Sequence, residues 1–279
     1  MKIQQLQYID KSWIIHMHAE DFDRMQCQLV LVFGEPSLIT DTAVFNHLER
    51  SYPEAHIILS STSGEIIHTG VFDNSVVVTA VQFDNTTIHC AETNIYWHKN
   101  SYEAGHYLMQ QLKQSDLSAA FIISDRTHID GCELVAGFNE INTHGIPVTG
   151  ALAGDGCGCT KTLVGLNQLP TEGVITAIGF YGPQIQVDHG LITTNEKRME
   201  IAAAVQSAKP DLAILVGCIG NNPELRNRTE EEVHALNKTL GTATCTTGFY
   251  SFEEISPLNT GSHTGRHTQT MTITTFTEF

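Results

Sequence analysis

The same order of elements occurs three times along the chain. An apolar, β-branched run leads each time: "QLVLVF" (28–33), "AAFIIS" (119–124) and "DLAILVGC" (211–218). Each run gives way to turn residues and then to a helical pattern, "DTAVFNHLERS", "GCELVAGFNEIN" or "TEEEVHALNKTL". Thr229 with Glu232 three residues on forms a capping-box pattern and predicts the start of the third helix. A strand of small residues follows: "HIILSSTSGEI" (56–66), "IPVTGALAGDG" (146–156) and "TCTTGFYSFEEI" (244–255). Extended segments close each unit, most clearly "SVVVTAVQF" (75–83), "GVITAIGFYG" (173–182) and "HTQTMTITTF" (267–276). Two further helical patterns, "SYEAGHYLMQQLKQS" and "NEKRMEIAAAVQSAKP", lead into the second and third units.

A repeated unit that cannot bury its own apolar face closes against its copies. The expected fold is therefore α/β (α+β mixed), with three β-α-β-β-β pseudo-repeats around a pseudo-threefold axis and a central mixed sheet with helices outside. Overlaying the units puts Glu65, Asp155 and Glu254 at one step, so that one acid from each points to a shared region. The softest boundary is the polar stretch from Thr193 to Lys197, which divides the chain into 1–195 and 196–279.

Composition narrows the function classes. With 41% hydrophobic and 16% charged residues in 279, the chain is globular. A net charge of −16 argues against nucleic acid, whose phosphates are bound by Lys and Arg. No apolar run reaches the roughly 18–20 residues that span a bilayer, so no membrane insertion is expected. The N-terminal stretch is interrupted by polar residues throughout, and no secretory leader is expected. Seven cysteines, an odd number without disulfide-scaffold spacing, read as reduced thiols of a cytoplasmic protein.

The stretch "ALAGDGCGCTKT" (151–162) suggests three kinds of chemistry. As a phosphate loop it fails, because Thr160 stands where a glycine must precede Lys-Thr, and an extended segment follows where a helix should begin. As a metal loop it offers Cys157 and Cys159 without a second pair, and no metal is expected. His263 with His267, and His16 with His18 near the terminus, read as surface or loop residues. As a turn it fits: Gly154 and Gly156 permit positive φ and aim Asp155 and free N–H groups at a ligand. Ser61, Thr62 and Ser63, before Gly64 and Glu65, supply hydroxyls in the matching place. With Tyr250 and Glu254 these residues make a candidate site for an ammonium-bearing small molecule such as an amino acid. A nucleophilic enzyme lacks its Gly-x-Ser-x-Gly elbow, although a hydrolase acting through Ser61 or Ser63 stays open.

The "SSTSGEI" strand end, the "GIPVTGALAGDG" stretch, and "GFYSFEEISPL" followed by "HTQTMTITTFTEF" resemble the FIST sensory domain. Both its N-terminal part, here 1–195, and its C-terminal part, here 196–279, are matched, with a shortened segment between them. Glu253 occupies the place of the family's glycine before Glu254. The resemblance implies an intracellular signal-transduction sensor that binds a small ligand and reports to a partner such as a histidine kinase. It also implies an alternative, a haem-binding nitric-oxide sensor, for which His189 is the candidate ligand; otherwise no cofactor is implied. A third alternative is an amide or ester hydrolase, since threefold-repeat hydrolases use Ser–Lys pairs in each unit. Adjacent strand residues point to opposite faces, so Glu254 is expected to face the site and Glu253 to face outward.

Overall fold

The computed structural model describes residues 1–112, 115–156, 161–195, 198–201, 209–218, 225–256 and 270–279. A hairpin, β1 (Lys2–Ile9) and β2 (Ser12–His18), precedes the repeats. Unit one runs β3 (Leu29–Gly34), α1 (Pro36–Ile39), α2 (Thr42–Ser51), β4 (His56–Ser61), β5 (Glu65–Ile67), β6 (Gly70–Phe72), β7 (Val76–Gln82) and β8 (Thr87–Asn94). Unit two runs α3 (Ser101–Leu112), β9 (Leu117–Ser124), α4 (Gly131–Ile141), β10 (Val148–Leu152), β11 (Val164–Leu166), β12 (Val174–Tyr181) and β13 (Ile185–Asn195). After β14 (Arg198–Ile201), unit three runs β15 (Leu212–Cys218), α5 (Leu225–Leu240), β16 (Cys245–Ser251), β17 (Glu253–Ile255) and β18 (Thr270–Glu278).

Each unit forms one mixed sheet on the same plan. The first two long strands pair in parallel across a helical crossover, as β3–β4, β9–β10 and β15–β16. The closing strand returns antiparallel beside the first, as β7, β12 and β18. The strand that precedes the unit takes the next place, as β1, β8 and β13. The short strand then leaves home. β5 of unit one pairs with β16 of unit three, β17 of unit three with β10 of unit two, and β11 of unit two with β4 of unit one. Among the described residues this cyclic exchange gives sheets of six, five and seven strands and ties every unit to both others.

The alternation of strand side chains explains the layers. Inward residues of all three sheets form a single core, including Leu31, Phe33, Phe121, Ile123, Ile214, Phe249 and Phe276. Outward residues meet helices: Val30, Val32, Leu59 and Val78 face Val44, Phe45 and Leu48 of α2. Ala120, Ile122 and Ala177 lie with Leu108 of α3 and Leu134 and Phe138 of α4. Ala213, Leu215 and Ile273 lie with Val233 and Leu236 of α5. Thus the expected β-core with helices outside is present, built as three mixed sheets around one axis.

Two local expectations need correction. The segment expected as a helix before unit three contains β14, which folds back on β13 with Asn195 opposite Arg198; the free edge of β13 outweighs local helix propensity. Helix α5 begins at Leu225, so Thr229 lies inside it and is not a cap. His16 and His18 stand at the surface on the edge strand β2, His16 half-buried and His18 exposed.

Candidate functional site

The C-terminal ends of the three parallel strand pairs converge on the axis and bond to one another through main chain. Ser61 O accepts from Gly154 N (3.0 Å), and Thr62 O from Gly156 N (3.0 Å), joining units one and two. Ser63 N donates to Tyr250 O (2.8 Å) and Tyr250 N to Gly64 O (2.8 Å), joining units one and three. Phe252 N donates to Leu152 O (3.1 Å), joining units two and three. Ser61 Oγ donates to Gly154 O (2.6 Å) and accepts from Leu163 N (2.9 Å), and Ser63 Oγ donates to Gly156 O (3.1 Å). Gly154 is the point where all three ends touch: a Cβ there would lie 2.6 Å from Ser63 Oγ, 2.7 Å from Ser63 N and 2.8 Å from Tyr250 O. Close backbone approach explains this glycine. Positive φ belongs to Gly156, at +71°, and not to Gly154. Tyr250 is fully buried, its ring filling the space that the missing side chain of Gly217 leaves.

The register corrects the overlay of the three acids. Glu65 stands opposite Phe249, Glu254 opposite Ala151, and Val164 opposite Ser60. These opposed positions are equivalent, because Ser61, Leu152 and Tyr250 pair with Gly34, Ser124 and Gly217, each of which follows the last core residue of its first strand, Phe33, Ile123 or Val216. The third member of the set is therefore Val164, not Asp155. Opposed residues of an antiparallel pair share a face, and Phe249, Ala151 and Val164 belong to the central core. Glu65 and Glu254 thus stand at inward positions. Asp155 lies earlier in its unit, on the half-buried connection leaving β10, where it accepts from Lys161 N (3.2 Å). Lys161 Nζ in turn meets Glu172 at 2.7 Å.

Glu65 is 1% exposed and accepts from Thr62 Oγ1 (2.6 Å) and Ser75 Oγ (2.7 Å). Burial pushes its carboxyl up to about 7, against the pull of these two hydroxyls, and the nearby Glu35 adds to the rise. Glu254 is 9% exposed, whereas its neighbour Glu253 is half-buried. Glu253 Oε2 reaches the start of α4, lying 3.0 Å from where a Cβ on Gly131 would be. A carboxylate is favoured there by the helix dipole. Arg126, just past the end of β9, stacks its guanidinium 3.0 Å from the ring centroid of Phe252.

The family model of the FIST N domain matches residues 28–209, well over half of the chain. The chain belongs to the FIST family. No curated protein matches its sequence. Among solved structures, a cyanuric acid hydrolase from A. caulinodans is similar at 8% identity with a TM-score of 0.44, covering 92% of this chain and 91% of that one. A second cyanuric acid hydrolase structure is similar at 10% identity with a TM-score of 0.45, covering 98% of each chain. Likeness at that level transfers no activity to this FIST chain.

Several side chains of this FIST mouth escape sequence reasoning. Ser75 and Glu35 reach Glu65 only through the pairing of β3 with β7, and Phe252 meets Arg126 only because unit three lends β17 to the sheet of unit two. Asp125 resembles a site acid in sequence but is wholly buried as a brace. It accepts from Thr162 Oγ1, Thr127 N (3.2 Å) and Gly173 N (2.9 Å). His189 stands apart from the mouth, mid-strand in β13 opposite Thr274. It shares its face with Ile185 and Val187, which pack on the central core, and burial lowers its pKa despite Asp188. Cys157, Cys159, His263 and His267 lie outside the described residues. Among those described, no group of three or more His, Cys, Asp or Glu gathers as a metal site, and no helix is long and apolar enough to cross a membrane.

Proposed function

We propose that this FIST protein is a small-ligand sensor that takes up an ammonium-bearing molecule, such as an amino acid, at the strand-end mouth and reports to a signalling partner such as a histidine kinase. The observation that carries this reading is the meeting of all three units at Gly154, with carboxylates of all three, Glu65, Asp155 and Glu254, on the converging segments. Glu65 is held by the hydroxyls of Thr62 and Ser75 and by main chain at Ser75, and Asp155 lies on the connection that Ser63 and Thr62 bond. A cationic group brought to such carboxylates favours their charged form. Exchanged short strands supply the route outward, since a shift at one strand end acts on two sheets at once. Cys27, Cys90, Cys132 and Cys245 are free thiols, which suits a reducing cytoplasmic setting.

Neither alternative gains a supporting contact. Ser61 Oγ is committed to Gly154 O and Leu163 N, and Ser63 Oγ to Gly156 O, so neither bonds a histidine or lysine base. The face of β13 that carries His189 packs against core side chains, and no step of the proposal runs through haem. Thermal-shift titration with amino acids tests the sensor reading. One amino acid should raise the melting temperature, and Asp155→Asn and Glu65→Gln should each reduce the rise. No shift with any amino acid, or a shift unchanged in both variants, overturns it.

A further inference from the structure

A second place in the molecule is built for a ligand of the opposite charge. Helix α2 presents Ala43, Asn46, His47 and Arg50 along one ridge, at spacings of three, one and three residues, with Ser51 beside them. The short 3₁₀ turn Arg24–Gln26 lies alongside and contributes Arg24 and Met25. Together these seven residues line an open groove of about 640 Å³. The lining contains two guanidiniums, an imidazole, an amide and a hydroxyl, and no carboxylate.

Such a lining is unusual in a chain with 15 Lys and Arg against 31 Asp and Glu. Among the described residues, neither Arg24 nor Arg50 forms an ion pair. Glu49, beside Arg50 in sequence, is not part of the lining, and two further acids near the groove are engaged elsewhere. Asp23 accepts from Met25 N (3.0 Å) and Gln26 Nε2 (3.2 Å), and Asp41 caps α2 by accepting from Ala43 N (2.8 Å). Two of the lining residues are braced against rings. Arg24 lies 5.8 Å from the ring of the buried Tyr52, and His47 stacks on Trp13 at 4.7 Å. Guanidinium forks match the oxygen geometry of phosphate, binding it bidentately. The groove is also within the range of about 300–1,000 Å³ that small organic ligands fill. Met25 and the His47–Trp13 stack provide apolar and aromatic surface for the organic part.

We infer that the α2 groove binds a small phosphate monoester, with Arg24 and Arg50 on the phosphate and His47 and Met25 against the organic group. This site is separate from the strand-end mouth and does not depend on its ligand. Titration with phenyl phosphate, inorganic phosphate and phenol, followed by NMR of the amide signals, tests it. Phenyl phosphate should saturate the signals of α2 and bind about tenfold tighter than inorganic phosphate, a difference of about 1.4 kcal/mol, with phenol not binding. Arg50→Gln should weaken phenyl phosphate about tenfold or more. Arg24→Lys, which keeps the charge but loses the fork, should weaken it less than Arg24→Gln. Lys99→Gln, at an exposed lysine elsewhere, should change nothing. Absence of saturation, signals moving away from α2, or equal losses in Arg50→Gln and Lys99→Gln would each overturn the assignment. So would equal affinity for phenyl and inorganic phosphate.

Discussion

Ser61 Oγ donates to Gly154 O at 2.6 Å and thereby locks the strand end of unit one to that of unit two. The same oxygen receives Leu163 N, so one hydroxyl satisfies two main-chain groups at a wholly buried position. Removing it strands a donor and an acceptor together. Ser61→Ala should cost about 2–3 kcal/mol in denaturant unfolding. A serine-directed covalent probe should leave Ser61 unlabelled in the native protein; labelling seen by mass spectrometry would restore the hydrolase reading.

Gly154 and Gly156 should respond differently to alanine. At Gly154 the new methyl meets main chain of two other units, and its neighbours cannot move without breaking the triangle of hydrogen bonds. Gly154→Ala should destabilise by about 3 kcal/mol. At Gly156 nothing lies within 4 Å of the added carbon, and only the positive φ resists. Gly156→Ala should cost about 1 kcal/mol. Equal losses in the two variants would show that crowding at Gly154 is not what selects glycine.

Glu65 makes stability depend on pH. The unfolded chain gives up this proton near the ordinary value of 4.5, while the folded protein holds it to about 7. Between these values the folded state binds more protons, so stability falls as pH rises. The favourable contribution is complete below 4.5 and gone above about 7. Relative to Glu65→Gln, the wild type should lose about 3 kcal/mol across that window. Unfolding free energies of both proteins at pH 4, 6 and 8 measure the difference; parallel curves would mean that Glu65 is not the group responsible.

Glu253 and Glu254 are adjacent but serve different neighbours. Glu253 reaches the start of α4, so Glu253→Gly should cost about 0.5–1 kcal/mol through lost helix-dipole interaction and added chain entropy. Ligand-induced thermal shifts should survive that change. Glu254→Ala, at the inward position, should diminish them. The reverse pattern, with Glu253 controlling the shift, would assign the mouth to the wrong acid.

The triple unit was legible because its signals are local. Val, Ile and Leu runs, helical periodicity and turn residues depend only on residues near in sequence. So β3, β9 and β15 fall where their apolar runs predict, each followed by a helix and a strand of small residues. At β14 the local sequence predicts a helix, because the signal that makes it a strand, the edge of β13, is a partner and not a neighbour.

The candidate mouth shows the same division. Its glycines and hydroxyls stood out in "SSTSGEI" and "ALAGDG", and the structure does bring Ser61, Ser63, Gly154 and Tyr250 together. The equivalence of Glu65, Val164 and Glu254 could not be read by counting along each unit. The connection to β11 is several residues longer than those to β5 and β17, and only pairing with β4 shows where its strand begins. Sequence by itself determined the three units and the family. Tertiary structure decided which unit lends its short strand to which sheet, because an unpaired strand edge takes whichever partner the closing axis brings to it.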